Sequence, residues 1–296
     1  MKTFRKLWLL SIAFMAFVGS LYAGQAAADP GTWPKTIKIG LIPTEGGADI
    51  VKRFEPLITH LEKTLGVKVE AQSASDYAGV ITAMAHKHID FAYLGPKSYV
   101  EASEKAGAVA LAMEKDTSGE PGYYGVIIAK RGSGIEKLED AKGKVFAFTD
   151  PNSTSGYLVP NLLFYRDLKV DPKQYFKEVK FSGSHGASIL AVKTGSIDVA
   201  ATNTIDLNRM SEKGQVSWDD FTVLWKSELI PGSPMCARKD LPESLKAAFT
   251  GALMMFNADK AGLEKLQIGG YAPSDDTVYD VIRYLNQLKK QLAQAS

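Results

Sequence analysis

The 296-residue chain carries 35 Lys and Arg against 33 Asp and Glu, a formal net charge of +2, with 45% hydrophobic and 23% charged residues. That balance argues against nucleic acid or an anionic membrane surface as partner, since both select strongly basic faces. A single cysteine, Cys236, excludes an internal disulfide, and a chain of this length can hold itself together by core burial alone.

Residues 1–28 read as an export signal. Lys2, Arg5 and Lys6 form a basic head, residues 7–22 carry no charge, and Ala23 and Ala26-Ala27-Ala28 follow as small residues. Cleavage is expected after Ala28, with Ala23 as second choice. An anchor helix would need a longer apolar run. With no cysteine near either point, a lipid anchor at a signal cysteine is not expected. Loss of three basic and no acidic side chains takes the net charge from +2 to −1. The expected location is the periplasm.

Strand and helix signals then alternate. Residues 36–42 alternate apolar and polar, as a half-buried strand does. Residues 49–65 place Ile50, Phe54, Leu57, Leu61 and Leu65 near a helical period, and Gly66 ends the run. A strand is expected over 67–71, a helix over 77–86 opened by Ser75-Asp76, and a strand over 89–94 stopped by Gly95-Pro96, with another helix from 97. This β-α-β-α-β opening predicts a parallel sheet covered by helices. Residues 123–130 form a long apolar strand. A second alternation follows, with strands at 144–149, 179–181 and 197–202 and helices at 157–167 and 186–194. After a short strand at 223–225, the chain returns through Pro231-Gly232-Ser233-Pro234. From Ala237 the pattern is largely helical.

Two αβ units of about 100 residues suggest two lobes. The assignment is residues 1–28 as signal, 29–125 with 236–296 as lobe one, and 126–235 as lobe two. The two crossings between them would form a hinge, with a ligand in the cleft at the carboxyl ends of the strands.

The most informative stretch is Asp150-Pro151-Asn152-Ser153-Thr154-Ser155-Gly156. It lies between a strand and a helix, so its hydroxyls occupy the cap and first turn, where unpaired N–H groups and the helix dipole favour an anion. Ser153 or Thr154 would equally serve as an ordinary cap. Other loops at the same end carry Tyr77, Tyr93, Tyr123, His185 and Asp206. A tyrosine packs its ring and donates its hydroxyl. A protonated His185 would add a charge-assisted hydrogen bond of about 1.5–3 kcal/mol. Ser155, His185 and Asp206 can also be assembled on paper as nucleophile, base and orienter. No G-x-S-x-G elbow, zinc signature or phosphate-loop signature supports chemistry, and no cofactor or metal is expected.

In the segments Asp76-Tyr77-Ala78-Gly79, Ala92 through Pro96, Pro121-Gly122-Tyr123, Asp150 through Gly156 and Gly183-Ser184-His185, the chain resembles the substrate-binding proteins of phosphonate and phosphite ABC transporters. The resemblance covers essentially all of the chain after the signal. It implies an α/β, two-lobed type II periplasmic-binding-protein fold with a two-strand hinge, delivering ligand to an ABC permease in the inner membrane. Carried over by position, Ser153, Thr154, Ser155 and His185 would grip the P–O oxygens, with Tyr77, Tyr93 and Tyr123 as the wall from lobe one. Binders of aminoethylphosphonate in that family carry an acidic residue directly after the histidine. Here Gly186 stands there, which points to a smaller ligand such as phosphite or methylphosphonate. Asp206 is the nearest other carboxylate and could restore amine binding or accept a proton-bearing oxygen. A protein of the same fold binding a sulfonate or serving a sensor, and a phosphoester hydrolase, are the rival readings.

Overall fold

The computed structural model describes residues 32–295, and the expected signal and its cleavage points lie outside them. The first unit opens with β1 (Thr36–Leu41), α1 (Gly47–Leu65), β2 (Lys68–Ser73), α2 (Tyr77–Ala85), β3 (Phe91–Tyr93), α3 (Pro96–Ala106) and β4 (Ala108–Lys115). Helix α1 forms because Ile50, Phe54, Leu57 and Leu61 fall on one buried stripe, and it stops at Gly66, whose φ of 69° only glycine adopts without strain. Asp76 caps α2 by accepting the Gly79 N–H at 2.7 Å.

The second unit holds β5 (Gly122–Lys130), β6 (Val145–Phe148), α4 (Val159–Leu162), α5 (Pro172–Tyr175), β7 (Glu178–Phe181), α6 (His185–Thr194), β8 (Val199–Asn203), α7 (Thr204–Glu212) and β9 (Phe221–Pro231). The chain then returns to the first unit through β10 (Pro234–Arg238), α8 (Glu243–Phe256), α9 (Lys260–Leu266), β11 (Gly270–Pro273) and α10 (Asp280–Ala295).

Two sheets result, ordered β11-β4-β10-β3-β1-β2 and β7-β6-β8-β5-β9. The opening strands β1, β2 and β3 pair in parallel, as their connections require. The first sheet as a whole is mixed, which corrects the parallel expectation. The returning strand β10 enters between β3 and β4 and runs against both, and β11 runs against β4. In the second sheet, Ile127, Ala129, Phe146 and Phe148 face one apolar cluster, while Val126, Ile128 and Ala147 face another. This period-two alternation with both faces apolar is what a sheet covered on both sides needs.

The crossings are short. Residues 116–121 lead from β4 into β5, and Gly232-Ser233 lead from β9 into β10. Strands β5 and β9 pair where they leave the first unit, with Gly122 opposite Pro231 and Tyr123 opposite Ile230. The chain crosses closely here: a Cβ on Gly232 would stand 2.0 Å from the Glu114 carbonyl oxygen, and the Glu114 N–H donates to the Ser233 carbonyl at 2.9 Å. Helix α10 packs on its own chain. Ile282 is buried, and Leu285, Leu288 and Leu292 join the first unit's core, while Tyr284 faces outward.

Candidate functional site

The motif turn follows β6. The Asn152 N–H donates to Asp150 Oδ1 at 2.6 Å, which bends the chain, and Ser153 Oγ caps the next helix by accepting the Gly156 N–H at 3.0 Å. The helix does not begin as an α-helix. Residues Thr154–Leu158 wind as a π turn, in which the Leu158 N–H reaches the Ser153 carbonyl at 3.1 Å and the Val159 N–H reaches the Thr154 carbonyl. That pattern starts its ladder one residue later than an α-helix, so the N–H groups of Thr154, Ser155 and Tyr157 all precede it. Gly156 is required by packing, since a Cβ there would lie 2.3 Å from Thr149 Oγ1.

His185 is fixed by two threonines. Its Nδ1 lies 3.3 Å from Thr149 Oγ1 and 3.2 Å from Thr202 Oγ1, while Thr149 Oγ1 donates to the Ala201 carbonyl at 3.1 Å. With its proton committed there, Thr149 can only accept from the ring, which assigns the imidazole proton to Nδ1. His185 Nε2 then accepts from Ser153 Oγ, 3.3 Å away. Burial pushes the His185 pKa down, Asp206 opposes this and Arg209 adds to it. Burial therefore favours the neutral ring over the protonated form that would add a charge-assisted bond.

The first unit closes over this turn. Thr154 Oγ1 accepts the Lys97 N–H at 2.8 Å, and the Gly186 N–H donates to the Thr44 carbonyl at 3.2 Å. Lys213 Nζ meets Glu45 Oε2 at 2.7 Å. Deeper in, Arg209 of α7 donates to Glu114 of β4 at 2.6 Å, with side chains only 2% and 1% exposed. Arg209 Nη1 also lies 3.6 Å from Asp206 Oδ1. Burial disfavours the charge on Arg209, and Glu114 with Tyr93, Asp206 and Glu45 outweigh it, so its pKa is raised.

A small cavity of about 20 Å³ is lined by Thr44, Tyr77, Tyr93, Tyr123, Ser153, Thr154, His185, Asn203, Asp206, Arg209 and Ser233, with Ile42, Gly95 and Ile205. One water needs roughly 10–15 Å³ by the same measure. Seven of the eight residues singled out in the sequence therefore line one cavity. Ser155 is buried but lies off that lining, and its backbone and Cβ pack against Gly125. Its Oγ has no partner at hydrogen-bonding distance, although it stands close enough to Tyr123 to lower that phenol's pKa. Burial nonetheless pushes the phenols of Tyr77, Tyr93 and Tyr123 up, so all three remain donors. A wider groove of about 1060 Å³ opens beside the seam, between α1 and α9 on one side and α6 and α7 on the other. None of the eight lines it.

Three further features of the site depart from the sequence reading. Arg209 was missed, although Asn203, Asp206 and Arg209 at the start of one helix form a cap followed by an i, i+3 ion pair, a pattern visible in the sequence. Gly186 belongs to the seam, where a Cβ would stand 3.3 Å from the Glu45 carbonyl oxygen, and not to the cavity wall. The paper triad is not assembled, because His185 turns its two nitrogens to Ser153 and to the threonines and not to Ser155 and Asp206.

Residues 39–279 match the family model described as ABC transporter, phosphonate, periplasmic substrate-binding protein. The chain is 34% identical to the phosphonates-binding periplasmic protein of Escherichia coli K12 over 263 residues, covering 86% of this chain and 77% of that one. It is 33% identical to the phosphate-import protein PhnD of Mycolicibacterium smegmatis, covering 86% and 85%. Among solved structures, a binding-protein component of an ABC phosphonate transporter from Pseudomonas aeruginosa superposes with a TM-score of 0.82 at 34% identity, covering 88% of both chains.

Proposed function

The chain belongs to the family of periplasmic substrate-binding proteins of phosphonate ABC transporters, and from that premise we propose that it captures a compact phosphorus oxyanion, phosphite or methylphosphonate, by lobe closure. The family is one of transport proteins and not of enzymes. The fold is the two-lobed type II periplasmic-binding-protein fold.

One observation carries the reading. The Ser153-Thr154 turn, the three phenols and His185 surround a cavity of about 20 Å³ that is walled by both units of the fold. Residues 126–235 act as the lobe that holds the anion, through the turn's N–H groups, Thr154 and the Ser153–His185 pair. Residues 29–125 with 236–296 act as the lobe that covers it with Tyr77 and Tyr93, whereas Tyr123, expected with them, stands on β5 of the other sheet and completes the wall from the crossing. Ser155 supports the turn from behind. Closure is driven by contacts that exist only when the lobes meet, which is the condition for a ligand to shift that equilibrium. The shut form is what an inner-membrane permease receives, and residues 1–28 direct export to the periplasm and are then removed.

Size separates the candidate ligands. A cavity of about 20 Å³ must widen to take any of these anions, least for a compact tetrahedral one and most for one bearing an aminoethyl arm. The M. smegmatis relative is named for phosphate, so phosphate is the competitor to exclude. The deciding experiment is calorimetric titration of ligand-stripped protein with phosphite, methylphosphonate, phosphate and 2-aminoethylphosphonate. Tight binding of phosphite or methylphosphonate, with the aminated ligand much weaker, is expected. Preference for the aminated ligand would overturn the size argument, and silence towards all four would overturn the ligand class. Ligand recovered unchanged, with no turnover of a chromogenic phosphoester, removes the hydrolase reading.

A further inference from the structure

Resting on that reading, we infer that the site takes its oxyanion with one proton still attached, and that Asp206 Oδ1 is the acceptor for that proton. The carboxylate is locked. Its Oδ2 accepts from Asn203 Nδ2 at 2.7 Å, and the Asp206 N–H donates back to Asn203 Oδ1 at 2.7 Å. Oδ1 is buried, sits in a residue that lines the cavity, and has no hydrogen-bond partner. The nearest cation is Arg209, whose Nη1 stands 3.6 Å off while its Nη2 is bonded to Glu114.

None of the groups around it donates to Oδ1 at hydrogen-bonding distance. Arg209 is on the same helix, with Glu114 of β4 behind it. Tyr77 of α2, Tyr93 of β3 and Tyr123 of β5 face it as neutral phenols, His185 of α6 as a neutral ring, and Asp150 of the motif turn shares its influence on Tyr77. A fully ionised oxyanion would set a bare oxygen against this carboxylate, leaving two buried negative groups with no proton between them. A ligand with one P–O–H satisfies Oδ1 directly, and its remaining oxygens meet the donors: the Thr154 hydroxyl, the unpartnered hydroxyls of Thr44 and Tyr77, and the turn's N–H groups. An ammonium would also satisfy Oδ1, but the arm that carries it would have to widen the cavity of about 20 Å³ further than a compact anion does. The site therefore separates phosphorus oxyanions, which keep a proton near neutrality, from sulfate and sulfonates, which keep none.

The test is calorimetric affinity for phosphite, methylphosphonate and sulfate on the ligand-stripped full-length protein from about pH 5.5 to about 8.5, a window that spans the second ionisation of phosphorus oxyacids. Affinity is expected to fall tenfold per pH unit above each ligand's own second ionisation. The break comes at higher pH for methylphosphonate, which holds its proton more tightly than phosphite does. Sulfate is expected to bind at least a hundredfold more weakly throughout. In Asp206→Asn, whose amide can donate, the profile should flatten and sulfate should gain at least tenfold. A flat profile in the unaltered protein, one break shared by both phosphorus ligands, or sulfate binding on a par with them overturns the inference. These outcomes hold even if the variant does not fold. Absence of binding by either phosphorus ligand at every pH would sink the proposed function itself, whereas tight binding with a flat profile sinks only the protonated form.

Discussion

Thr154 serves both halves of the fold. Its oxygen takes the Lys97 N–H at 2.8 Å, and its hydroxyl, which lines the cavity beside Tyr123, is the donor proposed for the ligand. Thr154→Val keeps the shape and removes both bonds, at about 1 kcal/mol each. Affinity should fall by roughly ten- to thirtyfold by calorimetry, and an unchanged affinity would take Thr154 out of the binding account. Gly156 answers to packing instead. Gly156→Ala drives a methyl into Thr149, the residue that fixes the His185 tautomer, so stability should drop by about 1–3 kcal/mol. Thermal unfolding would show this as a midpoint lowered by several degrees. At this scale the sequence showed what local patterning can show: hydroxyls at a helix start, tyrosines at strand ends and a histidine in a glycine-serine loop. It could not show Glu114. That residue sits in Ala-Met-Glu-Lys, and its partner Arg209 is 95 positions away, so nothing local distinguishes it from a surface glutamate.

Among the elements, the ones left unread share a cause. Strand β4 reads Ala-Val-Ala-Leu-Ala-Met-Glu-Lys, mostly helix formers, and is a strand because β10 and β11 pair with its two edges. Strand β11 has only four residues and ends in Pro273, too short for a period to register. The helices were legible because an apolar stripe, a cap and a terminal glycine are all local signals. Helix α10 has a role beyond its stripe. Anchored on the first unit's core, it carries Lys289, whose Nζ meets the Tyr157 hydroxyl at 2.9 Å and lies 4.4 Å from the centre of that ring. Tyr157 belongs to the π turn, so the helix braces the anion site from the far unit. Lys289→Met should weaken ligand binding two- to fivefold, about 0.5–1 kcal/mol, mainly through faster release. Equal release rates in variant and parent would mean that the brace carries no closure energy.

For the molecule as a whole, closure buries charge. Glu114 and Arg209 come from different sheets' units and lie almost fully out of water. Removing one partner of such a pair costs about 3–5 kcal/mol. Glu114→Gln should therefore destabilise the shut form selectively, enlarging the radius of gyration of ligand-free protein in X-ray scattering and weakening apparent affinity by a hundredfold or more. An unchanged radius would show that the pair does not govern closure. Glu45 adds a pH limit. Burial pushes its pKa up, but Arg53, Arg209 and Lys213 outweigh that and hold it at about 2 against a usual value of 4.5. A depressed carboxylate lends its stability in full above the unfolded value and loses it as pH falls through the folded one. The Glu45 contribution should thus be complete above about pH 4.5 and gone by about pH 2, and scattering across that range should show the seam parting. Lys213→Met should open it earlier.

Cys236 lies on β10 at the centre of the first sheet, buried, with its thiol donating to the Ala92 carbonyl at 3.4 Å. Burial pushes its pKa up to about 12, with the Ala92 bond pulling the other way. Folded protein thus presents no thiolate to a disulfide reagent, and the lone sulfur becomes a clock for how often the sheet comes apart. Ligand at a hundred times its dissociation constant should slow that clock about a hundredfold if the sheet opens only after the cleft has emptied. A rate indifferent to ligand would mean that the covering lobe breathes while its cargo stays in place.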